Sequence, residues 1–110
     1  MPHETADIPP GTLHMLILKT LQRGPLHGYA IAQRIHLISE DVLQVEEGSL
    51  YPALQRILIK GWVTADWSES ESGRRVRVYK LTTAGRKQLG KEISEFDRVI
   101  KAVYKVIEAS

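Results

Sequence analysis

The chain contains no cysteine. Disulfides, Cys-ligated zinc and thiol redox chemistry are therefore excluded, and a reducing compartment such as the cytoplasm is compatible. No run approaches the ~18 continuous apolar residues that a membrane span needs. The opening segment, Met1 to Pro10, carries His3, Glu4 and Asp7 among prolines. It lacks the basic start and apolar core of a secretory signal. The four histidines, His3, His14, His27 and His36, show no metal-ligand spacing. Gly24 and Gly28 are not followed by the Gly-Lys-Ser/Thr of a phosphate loop. No nucleophile is paired with a base and an orienting acid. The sequence thus offers no enzyme, no cofactor site and no metal site.

What is present is a single-domain length of 110 residues, 43% hydrophobic and 25% charged, the composition of an ordinary globular protein. The net charge of +2 is unevenly spread. Residues 1–48 sum to −3, residues 49–91 to +6 and residues 92–110 to −1. A positive middle segment is the electrostatic footprint of contact with a polyanion, or else a solvated basic face.

Hydrophobic spacing divides the chain into four helices and a two-stranded hairpin. After the breaker cluster Ile8-Pro9-Pro10-Gly11, Thr12 is placed to cap a first helix carrying Leu13, Met15, Leu16, Ile17, Leu18 and Leu21. Gly24 and Pro25 close it. A second helix starts near His27-Gly28-Tyr29, with His27 as cap or support. Its inward stripe is Ile31, Ile35 and Ile38, and it ends around Ser39-Glu40-Asp41. A third is predicted with Ser49 as N-cap, Pro52 in the first turn, Leu50, Leu54, Ile57 and Leu58 inward, and Gly61 at its close. The period then falls from 3.6 to 2. Val63, Ala65 and Trp67 form one strand face, and Arg75, Arg77, Tyr79 and Leu81 a second, joined by the polar turn Ser70 to Gly73. Thr82 or Thr83 caps a last helix running almost to Ser110. Mainly α with a small β-hairpin, in the order helix, helix, helix, hairpin, long helix, is the winged helix-turn-helix arrangement. Residues 1–82 read as the DNA-binding domain and 83–110 as a dimerisation helix.

In such a domain the third helix enters the major groove of duplex DNA. Ser49, Tyr51, Pro52, Gln55, Arg56 and Lys60 fall outside its apolar stripe. Gln55 suits adenine and Arg56 guanine, by paired hydrogen bonds, and which of them reads a base is open at this point. Ser49, Tyr51 and Lys60 suit phosphates. Arg74, Arg75 and Arg77 follow the hairpin tip, where they can lie along phosphates or enter a narrow minor groove. Glu69 and Glu71 in the same turn repel phosphate, which favours the arginine strand over the tip itself.

Three stretches resemble the PadR family of transcription regulators: Gly11-Thr12-Leu13 through Gly24-Pro25-Leu26-His27-Gly28-Tyr29, Gly48-Ser49-Leu50-Tyr51-Pro52-Ala53-Leu54 with Gly61-Trp62-Val63, and Gly73-Arg74-Arg75 through Tyr79-Lys80-Leu81-Thr82 and Ala84-Gly85. The resemblance implies a dimeric bacterial winged-helix repressor, often of transport, stress or detoxification genes. It also implies that Ser49, Tyr51 and Pro52 lie at the DNA-facing start of the third helix, and that Tyr29 supports or touches the DNA backbone. A single C-terminal helix corresponds to the short branch of that family.

The last helix carries its own argument for a homodimer. Leu89, Ile93, Phe96, Ile100, Val103 and Ile107 are spaced 4, 3, 4, 3 and 4, a heptad seam widened by Val99 and Val106. A twofold dimer would present two third helices to a palindromic site. A small-molecule effector at the dimer interface is an open reading, with Trp62 and Trp67 as candidate linings, although both are expected in the core. Two rival functions stand beside DNA regulation: a winged-helix protein-interaction module, and an effector-binding sensor.

Overall fold

The computed structural model describes residues 8, 9 and 11–110; the sequence reading of Met1 to Asp7 and of Pro10 lies outside them. Helix α1 spans Leu13–Leu21, strand β1 Leu26–His27, α2 Gly28–Ile38, α3 Glu47–Ile59, β2 Val63–Glu69, β3 Arg75–Leu81 and α4 Thr83–Glu108. The three strands form one antiparallel sheet in the order β1-β3-β2. The four helices and the two-stranded hairpin expected from the spacing are present, and β1 is an addition. Two residues carry no detectable period, and only the pairing of Leu26 with Tyr79 and His27 with Val78 makes them a strand.

Met15, Ile17, Leu18 and Leu21 of α1, Ile31 and Ile35 of α2, and Leu50, Ala53, Leu54 and Ile57 of α3 form one core. Val63, Tyr79, Leu81 and Leu89 close it from the sheet and from α4. Each fully buried Leu or Ile contributes about 1.5–3 kcal/mol. Ile38 does not join this core: at 69% exposure it sits with Leu37, at 72%, on an end of α2 that overhangs the other helices.

The helix ends explain most of the boundaries. Thr12 stands at the N-cap position of α1 in a helical conformation, and its hydroxyl donates backward to the Pro9 carbonyl at 2.6 Å instead of capping. Leu21 ends α1 three residues before Gly24, earlier than the expected stop. His27 does cap α2, Nδ1 accepting from the Ala30 N–H at 3.3 Å. Helix α2 closes with the Glu40 N–H on the Leu37 carbonyl and the Asp41 N–H on His36, with Glu40 left-handed at φ 54°. Helix α3 begins three residues earlier than expected. Extended Glu46 is the N-cap, its carbonyl accepting from Leu50 N–H at 2.9 Å, and Glu47 lies in the first turn, where the helix dipole favours its charge. Ser49 is therefore inside the helix and does not cap it. Pro52 lies beyond the first turn, where its nitrogen leaves the Gly48 carbonyl without an intrahelical donor. At the other end, Gly61 adopts φ 78° while its N–H and that of Trp62 bond the Leu58 and Ile57 carbonyls, a Schellman closure.

One side chain joins three elements. The Thr82 hydroxyl donates to the Gly61 carbonyl at 2.7 Å, just past α3, and accepts from the Gly85 N–H at 2.9 Å as the cap of α4. Gly85 is required there, because a Cβ would collide with the Trp62 carbonyl oxygen and with Leu81. The first turns of α4 are thereby part of the domain. Leu89, at 2% exposure, belongs to this core and not to an outward seam.

Candidate nucleic-acid interface

Helix α3 is amphipathic with a period that separates three faces. Leu50, Ala53, Leu54 and Ile57 point inward. Glu47, Tyr51 and Gln55, one turn apart, face the hairpin across a groove of about 840 Å³. Gly48, Ser49, Pro52 and Arg56 face a second hollow of about 520 Å³, toward Ile8 and Leu13 beside α1.

The hairpin supplies the far wall of the larger groove. The β2–β3 ladder runs from Val63 opposite Leu81 to Glu69 opposite Arg75, so the face that is buried at Tyr79 continues outward as Arg77 and Arg75. The turn closes with the Ser70 N–H on the Arg74 carbonyl at 2.8 Å and Gly73 at φ 82°. Arg74, Arg75 and Arg77 all line the groove. Arg77 Nε is buried without a hydrogen-bond partner. Burial pushes the Tyr79 hydroxyl pKa up, partly offset by the Arg77 charge. Glu69 and Glu71 are exposed at the hairpin end.

The floor is the start of α2. Tyr29 is exposed there and lines the same groove as Tyr51. A Cβ on Gly28 would stand 3.1 Å from Tyr51 Cε1 and 3.2 Å from Leu54 Cδ1, tighter than ordinary packing. Glycine therefore lets α3 close onto α2 and fixes where Tyr51 stands.

Of the residues singled out in the sequence, the fold brings Tyr29, Tyr51, Gln55, Arg74, Arg75 and Arg77 onto one groove. Ser49, Pro52 and Arg56 line the other hollow. Arg56 is engaged there, its Nε–H donating to His14 Nε2 at 3.1 Å. His14 is held below its usual pKa by burial first, and then by the Arg56 charge. Lys60, at the end of α3, places its ammonium 4.9 Å from the Trp62 ring.

Trp67 departs from the expected core position. It is 60% exposed, because β2 runs past the body of the domain, and it lies under two arginines of β3. The sequence contained a signal for this: Trp67 shares its alternation with Ala65 and, across the hairpin, with Arg75 and Arg77. Only the strand register turns that signal into a contact.

Beyond Leu89, the apolar residues of α4 stay exposed in part: Ile93, Phe96, Ile100 and Val103 at 36–44% and Ile107 at 66%, with Val99 and Val106 beside them; Phe96 and Val99 also border a hollow against Met15 of α1. Among the described residues, no helix is long and apolar enough to cross a membrane.

Three helices with a three-stranded wing, a groove between α3 and that wing lined by arginines, and a long trailing helix define a winged helix-turn-helix protein of the transcription-regulator class. The chain belongs to the PadR-like family of transcriptional regulators, whose family model matches residues 17–91. Members of this family bind DNA and are not enzymes. The fold superimposes on a transcriptional regulator from Clostridium thermocellum, Cth-833, with a TM-score of 0.82 at 24% identity, covering 89% of this chain and 95% of that one. It also matches a PadR family transcription regulator from Clostridium difficile, with a TM-score of 0.74 at 27% identity, covering 88% and 99%. An uncharacterised protein X of Lysinibacillus sphaericus is 28% identical over 94 residues, 86% of either chain.

Proposed function

We propose that the protein is a homodimeric repressor that binds a palindromic operator. The observation that carries this reading is the single groove shared by Tyr51 and Gln55 of α3 and by Arg74, Arg75 and Arg77 of the wing. A helix that enters the major groove beside a strand of arginines meets bases and phosphates at once. Gln55 is the base reader, through the edge of adenine. Tyr29, Ser49, Tyr51, Lys60 and the wing arginines contact phosphates, and Pro52 shapes the approach. Arg56 holds His14 through its Nε–H and keeps its two terminal NH2 groups for guanine.

The dimer forms through α4. Ile93, Phe96, Ile100, Val103 and Ile107 keep heptad spacing on a helix too far from its own core to be buried by it, and a second copy of the same face is the economical cover. The boundary between DNA-binding and dimerising parts falls within α4, past Leu89. Two α3 helices then meet half-sites about 34–36 Å apart. On this reading the protein works in the cytoplasm, on DNA upstream of the genes it silences.

The test is anisotropy of a labelled duplex from upstream of its own gene, with random competitor duplex and a series of salt concentrations. Two protomers per palindrome, a large specificity ratio and a steep logarithmic salt slope are expected. Absence of binding to that duplex and to a randomised pool of sites, by a folded protein, overturns the reading.

A further inference from the structure

We propose that Trp67 is a positioning residue of the wing, the plate that holds Arg75 extended across the groove toward a phosphate, with Arg77 clamped behind it. This rests on the reading of the groove as a DNA interface. A tryptophan at an exposed position near the end of a hairpin is not explained by core packing. Its register explains it. Trp67 is the direct cross-strand partner of Arg77, and Arg75 lies two residues along on the same face. The Arg75 guanidinium carbon is 4.8 Å from the ring centroid and that of Arg77 is 5.9 Å, both within reach of the ring quadrupole.

The mode of holding matters. Among the described residues the close acid–base side-chain contacts are His36–Asp41, Glu95–Arg98 and Asp97–Lys101, so neither Arg75 nor Arg77 is neutralised by a carboxylate. A stack occupies the flat face of a guanidinium and leaves its N–H edge free, and that edge is what a phosphate takes in paired hydrogen bonds. An ion pair with Glu69, the ladder partner of Arg75, would have consumed it. The stack also fixes a long side chain before DNA arrives, so its rotamer entropy is not lost on binding. Arg77, with Nε already buried, serves as the inner layer, and Arg75 is the outer, contacting one.

The experiment combines the free protein with the duplex assay. In free protein, the Arg75 side-chain Nε–Hε resonance should be displaced by the ring current, and Trp67→Ala should return it to the random-coil position. On DNA, Trp67→Ala should weaken affinity about tenfold, the effect of leaving a long arginine side chain to be ordered on binding and of its weakened phosphate contact, and lower the salt slope by about 0.9, the value of one phosphate. Arg75→Ala should do the same, and the double variant should be no worse than either. Trp67→Phe should restore most of the loss, whereas Trp67→Leu, equally apolar but without a quadrupole, should not. Equal performance of the Phe and Leu variants, or additive losses in the double variant, overturns the proposal. A wild type that binds duplex while Trp67→Ala keeps its affinity and slope sinks this inference alone. A wild type that binds no duplex sinks the interface reading with it.

Discussion

Arg56 and His14 are joined across 42 residues of sequence, the Arg56 Nε–H donating to His14 Nε2 at 3.1 Å and so tying α3 to α1. The acceptor must be a neutral imidazole, because a protonated ring has no lone pair to give. Burial and the neighbouring charges of Arg56 and Lys60 favour that neutral state, and Glu92 on α4 opposes them. A histidine whose folded pKa is lowered stabilises the fold above its unfolded value of 6.5, and that contribution is lost as pH falls through the folded pKa. The wild-type urea midpoint should therefore drop more between about pH 7.5 and pH 5 than that of His14→Gln, which keeps an acceptor that does not titrate. Both sites are partly solvated, so a difference below about 1 kcal/mol is expected. Parallel pH profiles would remove His14 from the account.

Two glycines of α4 should respond in opposite directions to the same change. Gly85→Ala drives a methyl group into the Trp62 carbonyl and should cost about 3 kcal/mol, at the upper end for overpacking, because the obstacle is backbone. Gly90→Ala meets open space within a helix and should gain about 0.5–1 kcal/mol. Urea unfolding of the two variants beside wild type reads both signs.

The left-handed cap of α2 offers a second gain. Glu40 holds φ 54° with a Cβ that disfavours it. Glu40→Gly should raise stability by about 1 kcal/mol, the strain that a left-handed L-residue carries. No change in the thermal midpoint would mean that Glu40 makes compensating contacts.

Ile100→Asp and Val103→Asp place charges on the uncovered face of α4 and touch nothing in the domain core. Sedimentation should show a dimer for the wild type and a monomer for each variant, with unchanged far-ultraviolet circular dichroism per residue. Operator affinity should fall by orders of magnitude, because both half-sites no longer bind as one unit. A dimer that survives both substitutions places the interface elsewhere.

Gln55→Ala should relax sequence preference by about 1–3 kcal/mol at one base position per half-site and leave the salt slope untouched. Competition among single-base variants of the operator measures this. A uniform loss across all variants would make Gln55 a backbone contact.

The long amphipathic helices and the alternating strands were legible because each exposes a regular period to one core. Thr82 as a cap and Gly61 as a stop were legible because their roles are local. What escaped reading depends on distant partners. Strand β1 exists only through Tyr79 and Val78, Arg56 is turned aside by a residue of α1, and Trp67 is stacked through a register that no single strand specifies. The start of α3 was placed three residues late because Ser49 is a good cap by type, whereas Glu46 becomes the cap by its extended backbone alone. Leu89 matched the heptad by spacing, yet α4 starts against α1 and the Trp62 backbone, and its first turns are used there. Tyr29, Tyr51, Gln55, Arg74, Arg75 and Arg77, chosen by type, line one groove, but the division of the α3 residues between two sides required the fold.

The Thr82 hydroxyl sits where α3, the wing and α4 meet. Helix α4 has 26 residues, a rod of about 39 Å, anchored at that point. Its pivot is packed without slack, since even a methyl group at Gly85 has no room. In a dimer clasped along the far end of the rod, any change in the crossing angle of the two rods is delivered undamped to the reading helices. The clasp then acts as a gear between partner geometry and operator pitch.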